Sequence, residues 1–145
     1  MKKVADPEFE FHHRLPVQIR FNDIDMFGHL NNAIYVQFLD QGKYAYFKQF
    51  MDGSFGSEPT APVVANINVN FHNPSFIDEK LEVLTAITTI ADSSMVLDQR
   101  IVAADGSVKC TARTVMVNID MKTGRSTTVD DQWRAKIGAF EGREF

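Results

Sequence analysis

The sequence predicts an α+β fold: a long antiparallel β-sheet wrapped around one central α-helix, with a short C-terminal helix added. Three observations predict it. Apolar residues recur at helical spacing from Asn32 to Phe50, in a stripe wider than a surface helix needs. Strand-like runs joined by short turns follow one another through the second half of the chain, which implies antiparallel pairing. A helix that is apolar around most of its circumference must then be covered by that sheet.

The elements follow in order. Residues 1–13 read as a loosely ordered stretch at the start of a single domain spanning 1–145. Leu15, Val17, Ile19 and Phe21 alternate with Pro16, Gln18 and Arg20, the period of a half-buried strand. In the helix, Tyr35, Phe38, Leu39, Gly42 and Tyr46 share one face, and Val36, Leu39, Lys43, Phe47 and Phe50 an adjoining one. Gly42 costs a helix interior roughly 1 kcal/mol against Ala, so its presence suggests close approach to another backbone. Residues 51–61 read as a loop. Ala65, Ile67, Val69 and Phe71 then alternate with Asn66, Asn68, Asn70 and His72 until Pro74. Runs at 80–91 and 95–103 lead to the hairpin signal Asp105-Gly106. A strand over 108–119, a turn at 122–124 and a short strand over 126–129 come next. Asp130 is placed to cap a helix from Asp131 to about Phe140.

Composition narrows the function. The chain has 145 residues, 44% hydrophobic and 23% charged, within the globular range. Twelve Phe point to a large aromatic core, an apolar pocket, or both. The formal net charge is −4 and no Lys/Arg run tracks a phosphate backbone, which argues against nucleic acid. A small polyanion needs only a few local cations. Cys110 is the single cysteine, so no internal disulfide forms. No apolar segment follows Lys2 and Lys3 as in a signal peptide, and no stretch approaches 18 apolar residues. The expectation is a cytoplasmic protein with no membrane partner and no cofactor.

Polar residues crowd the turn between the first strand and the helix: Asn22-Asp-Ile-Asp-Met-Phe-Gly-His-Leu-Asn-Asn32. Loops on a rigid scaffold are where chemistry concentrates. A helix N-terminus also offers unpaired N–H groups to a developing oxyanion. Several readings compete. Asp23 and Asp25 could simply shape a turn, with Asn31 or Asn32 capping the helix. A calcium loop fails, because Phe27 and Ile34 stand where ligands are required. A transition-metal site on Asp23, Asp25 and His29 lacks further ligands at sensible spacing, with His12, His13 and His72 scattered; no metal is expected. A serine hydrolase would need a Gly-x-Ser-x-Gly elbow, which is absent. Cys110 alternates with Ala112 in a strand and reads as a small core residue.

The combination Asp23-Ile24-Asp25, Gly28-His29, Asn31-Asn32 and Tyr35 resembles the entry segment of hotdog-fold acyl-CoA thioesterases of the 4-hydroxybenzoyl-CoA thioesterase type. Phe71-His72-Asn73-Pro74, with Asp78 and Leu81, is similar to that family's strand end before its next long strand. The likeness runs over about residues 14–120. It implies the hotdog fold, an acyl-CoA substrate, and homodimers, in some cases paired into homotetramers, with active sites at subunit interfaces. It implies Asp25 as the catalytic carboxylate, acting as nucleophile or general base, and amides around Asn31 and Asn32 as the oxyanion hole. Tyr35, Val64 and Asn66 are candidate acyl-pocket residues. Arg100, Lys109 and Arg113 are candidate phosphate contacts, although strand-surface charges are usually only solubilising.

His29 falls four residues after Asp25, where the similar plant acyl-carrier-protein thioesterases carry a His; Phe27 replaces their Asn. Some bacterial relatives carry a His seven residues after the Asp, where this chain has Asn32. His29 is thus either a catalytic helper or a packing residue at the helix start. Two rival functions remain. Hotdog hydratases carry Asp-x-Asn-Pro-x-His, whereas this chain has its His one residue earlier and no Pro. The other rival is a non-catalytic acyl-thioester-binding module on the same fold.

Overall fold

The structure is a computed structural model and describes residues 1–53 and 56–145. Part of the loop expected over 51–61, residues 54 and 55, lies outside the described residues. Five strands, β1 (His13–Val17), β2 (Thr60–Phe71), β3 (Leu81–Ile90), β4 (Ser94–Ala103) and β5 (Val108–Asp120), form one antiparallel sheet in the order β1-β3-β4-β5-β2. Helix α1 (Asn32–Lys48) packs on β1, β3 and β4, and α2 (Asp131–Glu141) packs against β3.

The expected sheet, central helix and C-terminal helix are all present, and the differences lie at element ends. The first strand stops at Val17, because the Arg20 N–H bonds the Asp23 carboxylate and Phe21–Asp23 turns as a single 3₁₀ segment. Strand β2 begins at Thr60, five residues before the alternating stretch. A bulge between Val64 and Asn66 inserts Ala65 and breaks the period there. Only an isolated bridge, Ile119 to Ser126, stands where a short strand was expected. Pro16 and Pro62 sit on β1 and β2, the two edges of the sheet, where a missing N–H costs no ladder bond. The Asp105-Gly106 hairpin forms with Gly106 at φ +85°, and Asp130 accepts the Trp133 N–H to cap α2.

The helix-facing side of the sheet is the core. Val83, Ile87, Leu97, Ile101 and Cys110 are fully buried against Tyr35, Phe38, Leu39 and Tyr46 of α1. A polar seam crosses it. The Gln99 side-chain amide donates to the Leu39 carbonyl and to the Thr85 hydroxyl, both at 3.0 Å. Helix α2 closes the far end with an aromatic cluster of Tyr46, Phe50, Trp133 and Phe140.

Tyr46 also donates to the Glu141 carboxylate at 2.9 Å, and the other Glu141 oxygen is buried without a partner. Burial raises the Glu141 pKa above its ordinary value of 4.5, against the lowering effect of Tyr46, His12 and Arg143. The folded state therefore holds this proton more tightly than the unfolded chain does. Stability from this group is present below the ordinary carboxylate pKa and is lost as pH rises through the raised one. Glu141→Gln is expected to remove that loss. Urea melts from about pH 4 to about pH 8 should show the variant gaining on the wild type across the window, then holding a constant lead.

Candidate active site

The turn between β1 and α1 is a miniature hairpin. Ile24 and Leu30 bridge, the Asp25 N–H donates to the His29 carbonyl at 2.8 Å, and the Gly28 N–H donates to the Asp25 carbonyl at 3.0 Å. Gly28 has φ +81°, a conformation that costs other residues about 1–2 kcal/mol. Nothing lies within 4 Å of a Cβ built there, so the cost is backbone strain alone. Gly28→Ala is thus expected to destabilise by about 1 kcal/mol. A thermal melt checks this.

The two aspartates of the turn have separate fates. Asp23 is 1% exposed and is clamped by the Arg20 guanidinium and by the Arg20 N–H at 2.8 Å. Burial would raise its pKa, but these Arg20 contacts outweigh it and hold the carboxyl below the usual range. Asp25 is half-buried. Its Oδ1 accepts the Phe27 N–H at 2.9 Å and the His29 N–H at 3.3 Å. Its Oδ2 has no hydrogen-bond partner among the described residues. One oxygen is fixed and the other is open, which is how a reactive carboxylate is oriented without being consumed.

Asp25, His29, Asn32, Tyr35, Phe71 and His72 line a cavity of about 260 Å³. The Tyr35 and Ser75 hydroxyls hydrogen-bond at 2.6 Å, and burial raises the Tyr35 pKa, so this residue is a neutral wall. The His29 ring stands edge-on to Phe76, with centroids 5.2 Å apart. Asn31 is the helix cap: its side chain accepts the Ala33 N–H at 2.9 Å, and its own N–H donates to the Asp23 carbonyl at 2.9 Å. That leaves the Asn32 N–H as the open amide at the positive end of α1. Asp23 is occupied by Arg20, so Asp23, Asp25 and His29 do not converge. Among the described residues no group of three or more His, Cys, Asp or Glu side chains gathers as a metal site would require.

Val64 and Asn66 are not brought to this cavity. Val64 pairs with Met116, whose side chain faces the helix, and Asn66 pairs with Val115 beyond the bulge, on the outer face. The inserted Ala65 flips the face between them, and the sequence carries no sign of that flip. Of the candidate cations, Lys109 is buried and pairs with Glu79 at 2.8 Å, and Arg113 makes two bonds to Asp98. Arg100 donates to the Ala5 carbonyl at 2.7 Å. Sequence reasoning missed His72 and Asn73 at the cavity wall and Ser75 bonded to Tyr35; the Phe71-His72-Asn73-Pro74 strand end was the available signal for the first two.

An antiparallel sheet packed on one long helix, with a short C-terminal helix, is the architecture of the hotdog thioesterases. Known proteins agree with that class. Residues 19–137 match the family model described as the thioesterase-like superfamily, and the chain belongs to that family. The long-chain acyl-CoA thioesterase FadM of Escherichia coli is 27% identical over 130 residues, covering 83% of this chain and 93% of that protein. The acyl-CoA thioester hydrolase YbgC of Escherichia coli is 30% identical over 109 residues, covering 74% and 81%. A thioesterase from Thermus thermophilus, solved with coenzyme A and zinc, superposes with a TM-score of 0.82 at 25% identity, covering 93% of this chain and 98% of that one.

Proposed function

We propose that this protein hydrolyses acyl-CoA thioesters to free acid and coenzyme A, with the open Oδ2 of Asp25 acting as nucleophile or general base. The anchored Asp25, lining one cavity with Asn32 at the start of α1, is the observation that supports this reading. Asp25 either attacks the carbonyl, expelling the thiolate and leaving a mixed anhydride that water opens, or takes a proton from the attacking water. In both routes the Asn32 N–H receives charge as the carbonyl oxygen becomes an oxyanion. His29 lines the same cavity and would orient the incoming water or the leaving sulfur. The enzyme is proposed to act in the cytoplasm, in keeping with a lone, buried Cys110. No helix among the described residues is long and apolar enough to cross a membrane.

We further propose a homodimer joined at β2. That strand ends the sheet with twelve residues of unpaired edge, and Val63, Val64, Ile67 and Phe71 are exposed along it. Long exposed apolar edges are ordinarily covered. A panel of aliphatic and aromatic acyl-CoAs, followed by free-thiol release, tests the activity. Release from at least one substrate supports it. Silence across the panel with acyl-CoA still bound would turn the reading to a binding module. After a single turnover in ¹⁸O-water, an unlabelled acid with label left in Asp25 identifies the anhydride route, with water opening the anhydride at the Asp25 carboxyl carbon; the general-base route cannot give that result.

A further inference from the structure

The chain leaving β2 walls one side of the Asp25 cavity with Phe71, His72, Asn73 and Pro74, and residues 75–79 carry that wall on toward β3. It meets the Asp25 turn and α1 at three points. The Leu30 N–H donates to the Ser75 carbonyl at 2.8 Å, the Ser75 and Tyr35 hydroxyls bond, and the Phe76 ring stands edge-on to His29. What holds this wall in place comes from β5. The Lys109 carbonyl accepts the His72 N–H at 2.8 Å, and Lys109 Nζ donates to the Pro74 carbonyl at 2.9 Å. The same ammonium pairs with Glu79 Oε2 at 2.8 Å. The other Glu79 oxygen accepts the Phe76 N–H at 3.0 Å.

A β-bulge brings Lys109 there. Ile101 pairs with Cys110 and Val102 with Val108, so Lys109 is an extra residue in β5. Bulges re-aim a side chain. Lys109 and Cys110 are consecutive and both buried, which the strict alternation of a regular strand does not give when one face is the core. The Lys109 side chain is 7% exposed. Burying an ammonium is costly, and apolar residues in place of a buried pair are often as stable or more so. What the pair adds is direction. Charge-assisted bonds from one ammonium to Pro74 and Glu79 fix how the 74–79 turn sits on β5.

We propose that Lys109 and Glu79 are positioning residues for the thioester reaction: they clasp the 74–79 turn so that Ser75 and Phe76 hold Leu30, Tyr35 and His29 in register with Asp25. This rests on the Asp25 cavity being the thioester site. Neither Lys109 nor Glu79 lines that cavity, so the clasp acts only through the turn. A misplacement of about 1 Å at a reacting group can cost about 100-fold in rate. A slack wall therefore lowers kcat and leaves KM alone, whereas a merely structural pair would lower stability without separating the two.

Two variants of the full chain test it. Lys109→Met/Glu79→Met exchanges the pair for apolar side chains and is expected to keep the fold. Glu79→Gln removes the charge yet keeps an acceptor for the Phe76 N–H, and it carries the test if the double variant does not fold. In steady-state hydrolysis each folded variant should lose at least about tenfold in kcat at unchanged KM. Amide hydrogen exchange by NMR gives a readout that needs no turnover. The Leu30 amide, bonded to the Ser75 carbonyl, should exchange at least about tenfold faster, while amides in the middle of β3 and β4 keep wild-type rates. A folded variant with wild-type kcat, or one with an unchanged Leu30 amide, would overturn the proposal. A wild type that hydrolyses no thioester, with Leu30 exchange still set by the pair, would instead sink the thioesterase reading and leave the clasp standing as the frame of the cavity.

Discussion

Asp25→Asn is expected to lower thioester hydrolysis about 100- to 10,000-fold, the usual contribution of a positioned acid–base group, while leaving the fold in place. The geometry explains why the two effects separate. Asn keeps an Oδ1 acceptor for the Phe27 and His29 N–H groups, so the turn retains both bonds. What is lost is the charge on the open second oxygen, which neither attacks nor removes a proton once it is an amide. Thiol release should fall while the far-UV circular dichroism and the melting temperature stay at wild-type values. An Asp25→Asn enzyme with normal turnover would remove Asp25 from the mechanism. Asp23→Asn is the informative contrast. It breaks a buried clamp to Arg20, so its effect should appear in stability, at about 1–3 kcal/mol.

Gly42→Val should cost the fold about 3 kcal/mol, the upper end of the usual penalty for overpacking a close-packed core. A Cβ at Gly42 would stand 2.5 Å from Val83 Cγ1 and 3.0 Å from Gln99 Nε2. Val83 is fully buried on a central strand and its branched side chain has one comfortable rotamer, so it cannot retreat. Gln99 would have to leave the Leu39 carbonyl, orphaning a buried amide. Replacing a helix glycine by Val gains only a few tenths of a kcal/mol of propensity, roughly, because Val is itself a poorer helix former than Ala, and the clash exceeds that. Urea denaturation measures the difference; a Gly42→Val protein as stable as the wild type would mean that α1 does not ride this close to β3 and β4.

Gly42 also shows how far the sequence could be read. Its position in an apolar helical stripe signalled close packing, and the neighbour it serves is a strand side chain on the sheet floor rather than another backbone. The stripe itself, the meander, the Asp105-Gly106 hairpin and the Asp130 cap were legible because each rests on local periodicity or local turn chemistry. The strand ends were less so. Pro62 hid the start of β2, since a proline argues against a strand unless the strand lies at an edge, and edge position is a property of the assembled sheet. The Ala65 bulge carried Asn66 to the outer face for the same kind of reason: register is negotiated between two strands, not written in one.

In the site, the sequence by itself determined that a polar turn enters an apolar helix, and the Asp-x-Asp, Gly-His and Asn-Asn pattern marked that turn as the candidate site through its resemblance to the hotdog thioesterases. The tertiary structure decided which groups are available. Arg20 lies three residues from Asp23 and takes it out of play, and Asn31 spends its own amide on the Asp23 carbonyl and its side chain on Ala33. Asp25, whose Oδ2 stays unpaired among the described residues, and Asn32 line one cavity with Tyr35 and His72. Availability is what remains after every nearby donor and acceptor has found its partner, and those partners come from Ser75 and the β2 end as much as from the turn. Residue types and local spacing are encoded along the chain; which polar atoms stay unpaired is settled only when distant segments are brought together.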